Sequence, residues 1–140
     1  MTANEMPYVN VSDNVGTPKA PALQIILTDR TASKCVPLLA LLDSGGDGTF
    51  VRWEKMQELQ DILQYELPQE GIEYIQNGEM TKVYEASLMF GKTQLFPNDG
   101  IDCPKKWSYG KEEAIIGRDI LNQLVILLNG PREKFTIQLP

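Results

Sequence analysis

Asp43 closes an apolar run and opens a stretch almost free of side chains, because residues 38–51 read LLALLDSGGDGTFV. A carboxylate delivered by a rigid apolar segment, with glycine at 45 and 46, leaves room for main-chain amides and a bound molecule to approach closely. Two chemistries fit this pattern. The first is calcium binding: counted from Asp43, Asp47 is fifth, Gly48 sixth and Glu54 twelfth, as in a helix–loop–helix calcium loop. Gly45 occupies the third ligand position without a side-chain oxygen, and CVPLLALL at 35–42 makes a poor entering helix. The second is a catalytic carboxylate, Asp43, with Ser44 steadying the loop through its hydroxyl and Gly45 and Gly46 admitting backbone amides. Asp-Ser-Gly is also common by chance, so Asp43 as a plain turn cap stays open on these residues alone.

Composition narrows the choice. The 140 residues include no histidine, which removes Ser-His-Asp and Cys-His catalysis in their common forms, together with HExxH metallohydrolysis. Catalysis would have to run on carboxylates, Lys, Tyr, or Cys without imidazole. Cys35 and Cys103 are too few for a disulfide framework or a zinc site, and free thiols are expected. No metal and no cofactor is expected. A formal charge of -6 argues against a nucleic-acid partner, since phosphate binding needs clustered Lys and Arg. The basic pair Lys105-Lys106 beside Trp107 fits a solvated loop. No apolar run approaches the ~20 residues of a membrane span, and residues 1–16 lack the basic start and apolar centre of a signal peptide. A cytoplasmic protein without a membrane partner is the expectation.

The elements that must position Asp43 follow from periodicity. Residues 1–20 carry Pro and Asn with little pattern and read as a flexible N-terminal arm, leaving 21–140 as one domain. ALQIILT at 22–28 and the run at 35–42 read as a hairpin around DRTASK, its second strand ending at Asp43. Trp53, Met56, Leu59 and Leu63 recur at helical spacing, and Pro68 is expected to close that helix. Residues 71–91 read as a second hairpin turning at Asn77-Gly78, because both turn positions favour positive φ. Residues 97–113 look like a long loop, in which Trp107 and Tyr109 fit surface anchors or loop packing equally well. Ile115-Ile116 is a short buried strand, Gly117-Arg118-Asp119 opens a short helix through Leu124, and VILLN and KFTIQL are two strands around Gly130-Pro131-Arg132. The sum is mainly β with two helices.

With these elements in order, the chain from about Ala22 to Leu139 resembles the retropepsin family of aspartic proteases. ALLDSGGDGTFV is similar to the family's active-site loop, usually Asp-Ser/Thr-Gly-Ala/Ser, from which Gly46 departs at the fourth place. Ile115-Ile116-Gly117-Arg118-Asp119 resembles its apolar-apolar-Gly motif and helix start, and the Asn77-Gly78 hairpin falls where the family carries its flap. The resemblance implies a mainly β acid-protease barrel with a flap hairpin and two helices, working as a homodimer on a protein or peptide substrate. Each chain would supply one Asp43, because this hydrolysis needs two carboxylates about 3 Å apart sharing one proton. It also implies a buried, bidentate Arg118–Asp47 brace, with Asp47 as an exposed turn residue the alternative and Asp119 either joining that network or capping the helix. Peptide contacts at Gly45 and near Gly78 are implied too, with apolar pockets from Ile75, Met80 and Val83, each of which fits plain core as well. Terminal strands interleaved between two copies, or closed as an internal hairpin, are both compatible with VILLN and KFTIQL. A catalytically silent module of the same fold, used for dimerisation or peptide binding, is the other reading.

Overall fold

In chain order the computed structural model contains β1 (Glu5–Pro7), β2 (Ala22–Thr28), β3 (Cys35–Leu42), β4 (Phe50–Val51), α1 (Trp53–Leu63), β5 (Gln69–Gln76), β6 (Glu79–Phe90), β7 (Gln94–Pro104), β8 (Ala114–Ile116), α2 (Arg118–Leu121), β9 (Val125–Asn129) and β10 (Lys134–Gln138). The structure describes residues 5–76, 79–92, 94–107 and 109–140, and of residues 70–76, 79 and 80 the backbone alone. The turn expected at Asn77-Gly78 lies outside the described residues; the backbones flanking it pair as Ile75–Met80 and Gln76–Glu79.

Uncharged apolar segments at 22–28 and 35–42 form the expected antiparallel hairpin, paired from Ala22–Leu41 to Thr28–Cys35. Its turn is organised by Asp29, which is buried. The carboxylate accepts from the Ser33 amide (2.8 Å) and hydroxyl (2.7 Å), the Thr31 hydroxyl (2.7 Å) and the Tyr65 hydroxyl (3.3 Å). Burial alone would raise this carboxyl, but the hydrogen bonds from Ser33, Thr31 and the Lys34 amide outweigh it and hold it well below the ordinary carboxylate range. The folded pKa lies under the unfolded one, so the stabilisation is complete above about pH 4 and drains away as pH falls below that. Asp29→Asn is therefore expected to lose roughly 2–4 kcal/mol at neutral pH, with the gap to wild type closing towards pH 2. Urea unfolding across that range checks it.

β2 and β3 continue into a closed barrel. The strand order is β2-β3-β8-β4-β7-β6, and β6 returns to β2 through Ile26–Met89, Leu27–Leu88 and Thr28–Ser87. Leu27, Leu38, Ala40, Leu88, Ile101 and Ile116 point inward with no exposed surface. Each such large side chain contributes about 1.5–3 kcal/mol on burial. Pro37 is tolerated within β3 because β8 pairs only with Ala40–Leu42, beyond the missing N–H.

Three expectations are corrected. Residues 97–113 are not one long loop, for Gln94–Pro104 is an eleven-residue strand along β6. The turn-forming Pro97-Asn98-Asp99-Gly100 is absorbed by a bulge, where the register slips between Tyr84–Ile101 and Ala86–Asn98. The first helix stops at Leu63, ahead of Pro68: Gln64 adopts φ 65°, and its N–H bonds back to Gln60 O. The Gln60 side chain, itself buried, then accepts from the Leu67 amide at 2.8 Å and fixes the exit path. The second helix is also shorter than read, ending at Leu121.

A second sheet of order β1-β10-β9 is joined to the barrel by Phe135, which is buried against Tyr8 with ring centroids 6.1 Å apart. Residues 5–7, within the stretch read as a flexible arm, thus form a strand on β10, and Val9 bridges to Ala20. Among the described residues no helix is long and apolar enough to cross a membrane.

Candidate active site

β8 is the key to the site. It lies between β3, its parallel neighbour, and β4, its antiparallel neighbour, so the two ends of the 43–49 loop straddle it. Asp43 prolongs the β3–β8 ladder, its N–H donating to Ile116 O at 2.9 Å. The chain then turns tightly: the Gly46 N–H reaches Asp43 O at 3.2 Å and the Gly45 N–H reaches Asp43 Oδ1 at 2.9 Å. A Cβ on Gly46 would stand 3.2 Å from Asp43 Oδ2, so glycine there leaves space beside the carboxylate. Asp43 is half-buried and Ser44 exposed.

The far side of the loop is bound to the segment after β8. The Arg118 N–H donates to Gly46 O (2.8 Å), and the Asp119 N–H to Asp47 O (3.3 Å). Gly117 passes so near the loop that an added Cβ would meet Gly48 O at 2.2 Å. Thr49, with no exposed surface, accepts from the Gly117 N–H at 3.3 Å and donates to Asp119 Oδ1 at 2.8 Å. Asn98, at the β7 bulge, donates to Asp119 Oδ2 at 2.7 Å. Asp119 therefore ties the loop to the barrel wall. Sequence reasoning missed Thr49 and Asn98: a hydroxyl and an amide in loop-like contexts carry no periodic signal, and only the fold brings them together.

The expected ion pair between Arg118 and Asp47 forms, but as a single contact rather than a bidentate one, with side chains 49% and 90% exposed. Solvent-exposed pairs of this kind are worth about 0–1 kcal/mol, well short of a buried brace. The backbone bonds and the Thr49–Asp119 link hold the loop instead. Ile115 and Ile116 are buried as expected. Val83 is buried too, and the side chains of Ile75 and Met80 lie outside the described residues.

Trp107 and Tyr109 pack locally, 5.1 Å apart edge to face, with Tyr109 also 6.3 Å from Phe50 of β4. Arg52 lies over Trp107 at 5.2 Å and donates to the Gly110 and Glu112 carbonyls. The basic pair is not simply solvated, since Lys105 sits 5.9 Å over the Trp53 ring. Burial pushes the Cys103 thiol well up, with Asp102 adding to the effect, which makes it a poor nucleophile. The calcium geometry is not met, because Asp43 is entered from strand β3 and not from a helix.

No protein-family model matches the chain, and no curated protein matches its sequence. Solved structures do. A retropepsin-like aspartic protease from Rickettsia conorii aligns at a TM-score of 0.55 and 13% identity, over 97% of this chain and 90% of that one. EIAV protease complexed with the inhibitor HBY-793 aligns at 0.49 and 18%, over 78% and 91%. This chain has the retropepsin-like fold. In this retropepsin-like barrel Asp43 leaves the end of β3 beside a cleft of about 320 Å³. Ser44, Leu42, Leu121, Leu124, Ile126 and Leu128 line that cleft, so the loop and the second sheet share one groove.

Proposed function

We propose that the protein is an aspartic endopeptidase acting as a homodimer, with Asp43 from each copy forming the catalytic pair. The observation that carries this reading is the Asp43 loop itself. A single half-buried carboxylate, freed of neighbouring side chains and pinned on both sides of β8, sits in a retropepsin-like fold. One carboxylate per chain is half of the needed pair. A two-fold axis supplies the other from an identical loop.

Two carboxyls about 3 Å apart cannot both ionise, so they share one proton and titrate as a unit. The ionised one takes a proton from the attacking water while the protonated one donates to the scissile carbonyl oxygen. The Gly45 amide on Asp43 Oδ1 fixes the plane of the carboxylate for that exchange. An extended protein or peptide substrate would lie between Asp43 and the β5–β6 hairpin, with Gly45, Ile75, Asn77, Gly78 and Met80 as its expected contacts. Ser44 and Gly46 shape the loop, and Asp47, Ile115, Ile116, Gly117 and Arg118 support it.

Dilution tests the proposal. Hydrolysis per chain is expected to fall as the protein is diluted through its dimer dissociation constant, and a statine-type transition-state mimic is expected to inhibit at one molecule per two chains. Concentration-independent hydrolysis by a monomer would reject the shared pair. Absence of hydrolysis by a proven dimer, across acid and neutral pH, would favour a silent binding module of the same fold.

A further inference from the structure

One row of paired residues crosses five strands of the barrel wall. Leu41 of β3 stands opposite Ile115 of β8, Ile115 opposite Phe50 of β4, Phe50 opposite Asp102 of β7, and Asp102 opposite Val83 of β6. Residues directly opposite in a sheet share a face, and residues one apart on a strand do not. Each member of the row adjoins a core residue on its own strand: Leu42, Ile116, Val51, Ile101 and Tyr84. The row therefore faces away from the core, and none of its five residues belongs to the core cluster. Asp43, two places beyond Leu41, shares this outward face. The face spans the wall from the strand that delivers Asp43 to the β5–β6 hairpin.

The row is apolar but for one residue. Ile115 and Val83 are buried, Leu41 and Phe50 are half-buried, and the Tyr109 ring lies 6.3 Å from that of Phe50. Asp102 stands half-buried among them. Diagonal to it on the same face is Thr81, which pairs with Pro104 and is buried with its hydroxyl unpartnered among the described residues. A carboxylate in apolar surroundings attracts a cation more strongly than it would in water, and it leaves an apolar side chain beside an unsatisfied charge.

We infer that Asp102 is a specificity residue that selects Lys or Arg in the substrate. This assignment rests on the peptidase reading and names its substrate class, an extended peptide with a basic residue near the cut. Asp102 lies three strands from β3. At about 4.8 Å per strand that is roughly 14 Å, which a peptide rising about 3.3 Å per residue covers within about four residues of the scissile bond. A carboxylate offers about four acceptor sites, so a guanidinium or ammonium joins the contacts that Asp102 already makes. The net charge of -6 draws cationic peptides towards the chain as a whole. In the proposed homodimer each copy brings one Asp102, so the preference falls on both sides of the cut.

Digestion of a synthetic library of randomised octapeptides, read by sequencing the products, tests this. Wild type is expected to enrich Lys and Arg about tenfold or more over Leu and Met at one position on each side of the cut. Asp102→Asn is expected to remove that enrichment, and Asp102→Lys to replace it with one for Asp and Glu, with thermal unfolding confirming that both variants are folded. No basic preference in wild type, or the same preference in Asp102→Asn, would overturn the assignment. Panning the library on the Asp43→Asn protein separates it from the peptidase reading. If wild type hydrolyses nothing, yet Asp43→Asn retains Lys and Arg peptides that the Asp43→Asn, Asp102→Asn double variant releases, the role of Asp102 stands and the peptidase reading fails. Hydrolysis without a basic preference means the reverse. Neither hydrolysis nor retention would reject both.

Discussion

Asp43→Asn is expected to lower peptide turnover by about 10³-fold or more, because in the proposed mechanism the pair performs both the general-base and the general-acid step. Asn keeps the size of the side chain and an oxygen for the Gly45 N–H, so the loop geometry at 2.9 Å is preserved. What it removes is the charge and the transferable proton. Substrate binding is expected to change little, leaving the loss in kcat rather than KM. The variant should also dimerise as wild type does, since two neutral amides replace a proton-sharing pair that carries one charge. A peptide-cleavage assay with sedimentation of the same samples checks both statements. Equal turnover by wild type and variant would reject the catalytic assignment outright.

Gly117→Ala is expected to carry a large cost to stability. The added Cβ would lie 2.2 Å from Gly48 O, 2.7 Å from its carbonyl carbon and 2.9 Å from its nitrogen. All three are backbone atoms of a loop fixed from both sides, so no side chain can swing away. Overpacking usually costs about 1–3 kcal/mol, and a clash with backbone belongs at or above the top of that range. The crossing that the clash would force apart also carries the Thr49–Gly117 bond. Activity is therefore expected to fall together with the thermal midpoint. Arg118→Ala at the adjoining exposed ion pair offers the contrast, where little stability is at stake. A Gly117→Ala protein as stable as wild type would mean that the loop passes β8 more loosely than this geometry requires.

Local chemistry made much of this readable. The β2–β3 hairpin could be placed to the residue because two uncharged runs flank a polar hexapeptide, and a strand's two-residue period leaves little freedom of register. Helix α1 declared itself through Met56 and Leu59, which are fully buried. Its end did not, because the left-handed Gln64 is a choice made by tertiary packing, not by propensity. β7 was hidden because Asn98, Asp99 and Gly100 suit a turn and a bulge alike, and only the partner strand β6 distinguishes the two. At the site, Asp43 and Gly117 stood out as a charged residue and a glycine next to apolar runs. Thr49 and Asn98 did not, since their roles exist only after segments distant in the chain have met. The exposure of Asp47 stood only as the alternative to a buried brace, because depth depends on what the rest of the fold covers.

The threading of β8 between β3 and β4 also governs the order of events during folding. Asp119 and Arg118 reach Thr49 and Asp47 across 70 and 71 residues of chain. Closing a loop of that size is slow, and its entropy must be met before the contacts that close it are gained. A nascent chain that has emerged only to residue 113 still lacks Ile116, which anchors Asp43, and Gly117, whose N–H bonds Thr49 at the far end of the loop. Its carboxylate then keeps only the local Gly45 amide, and nothing outside the loop holds it in place. The frame around Asp43 is thus complete only once β8 and the residues after it slot between β3 and β4.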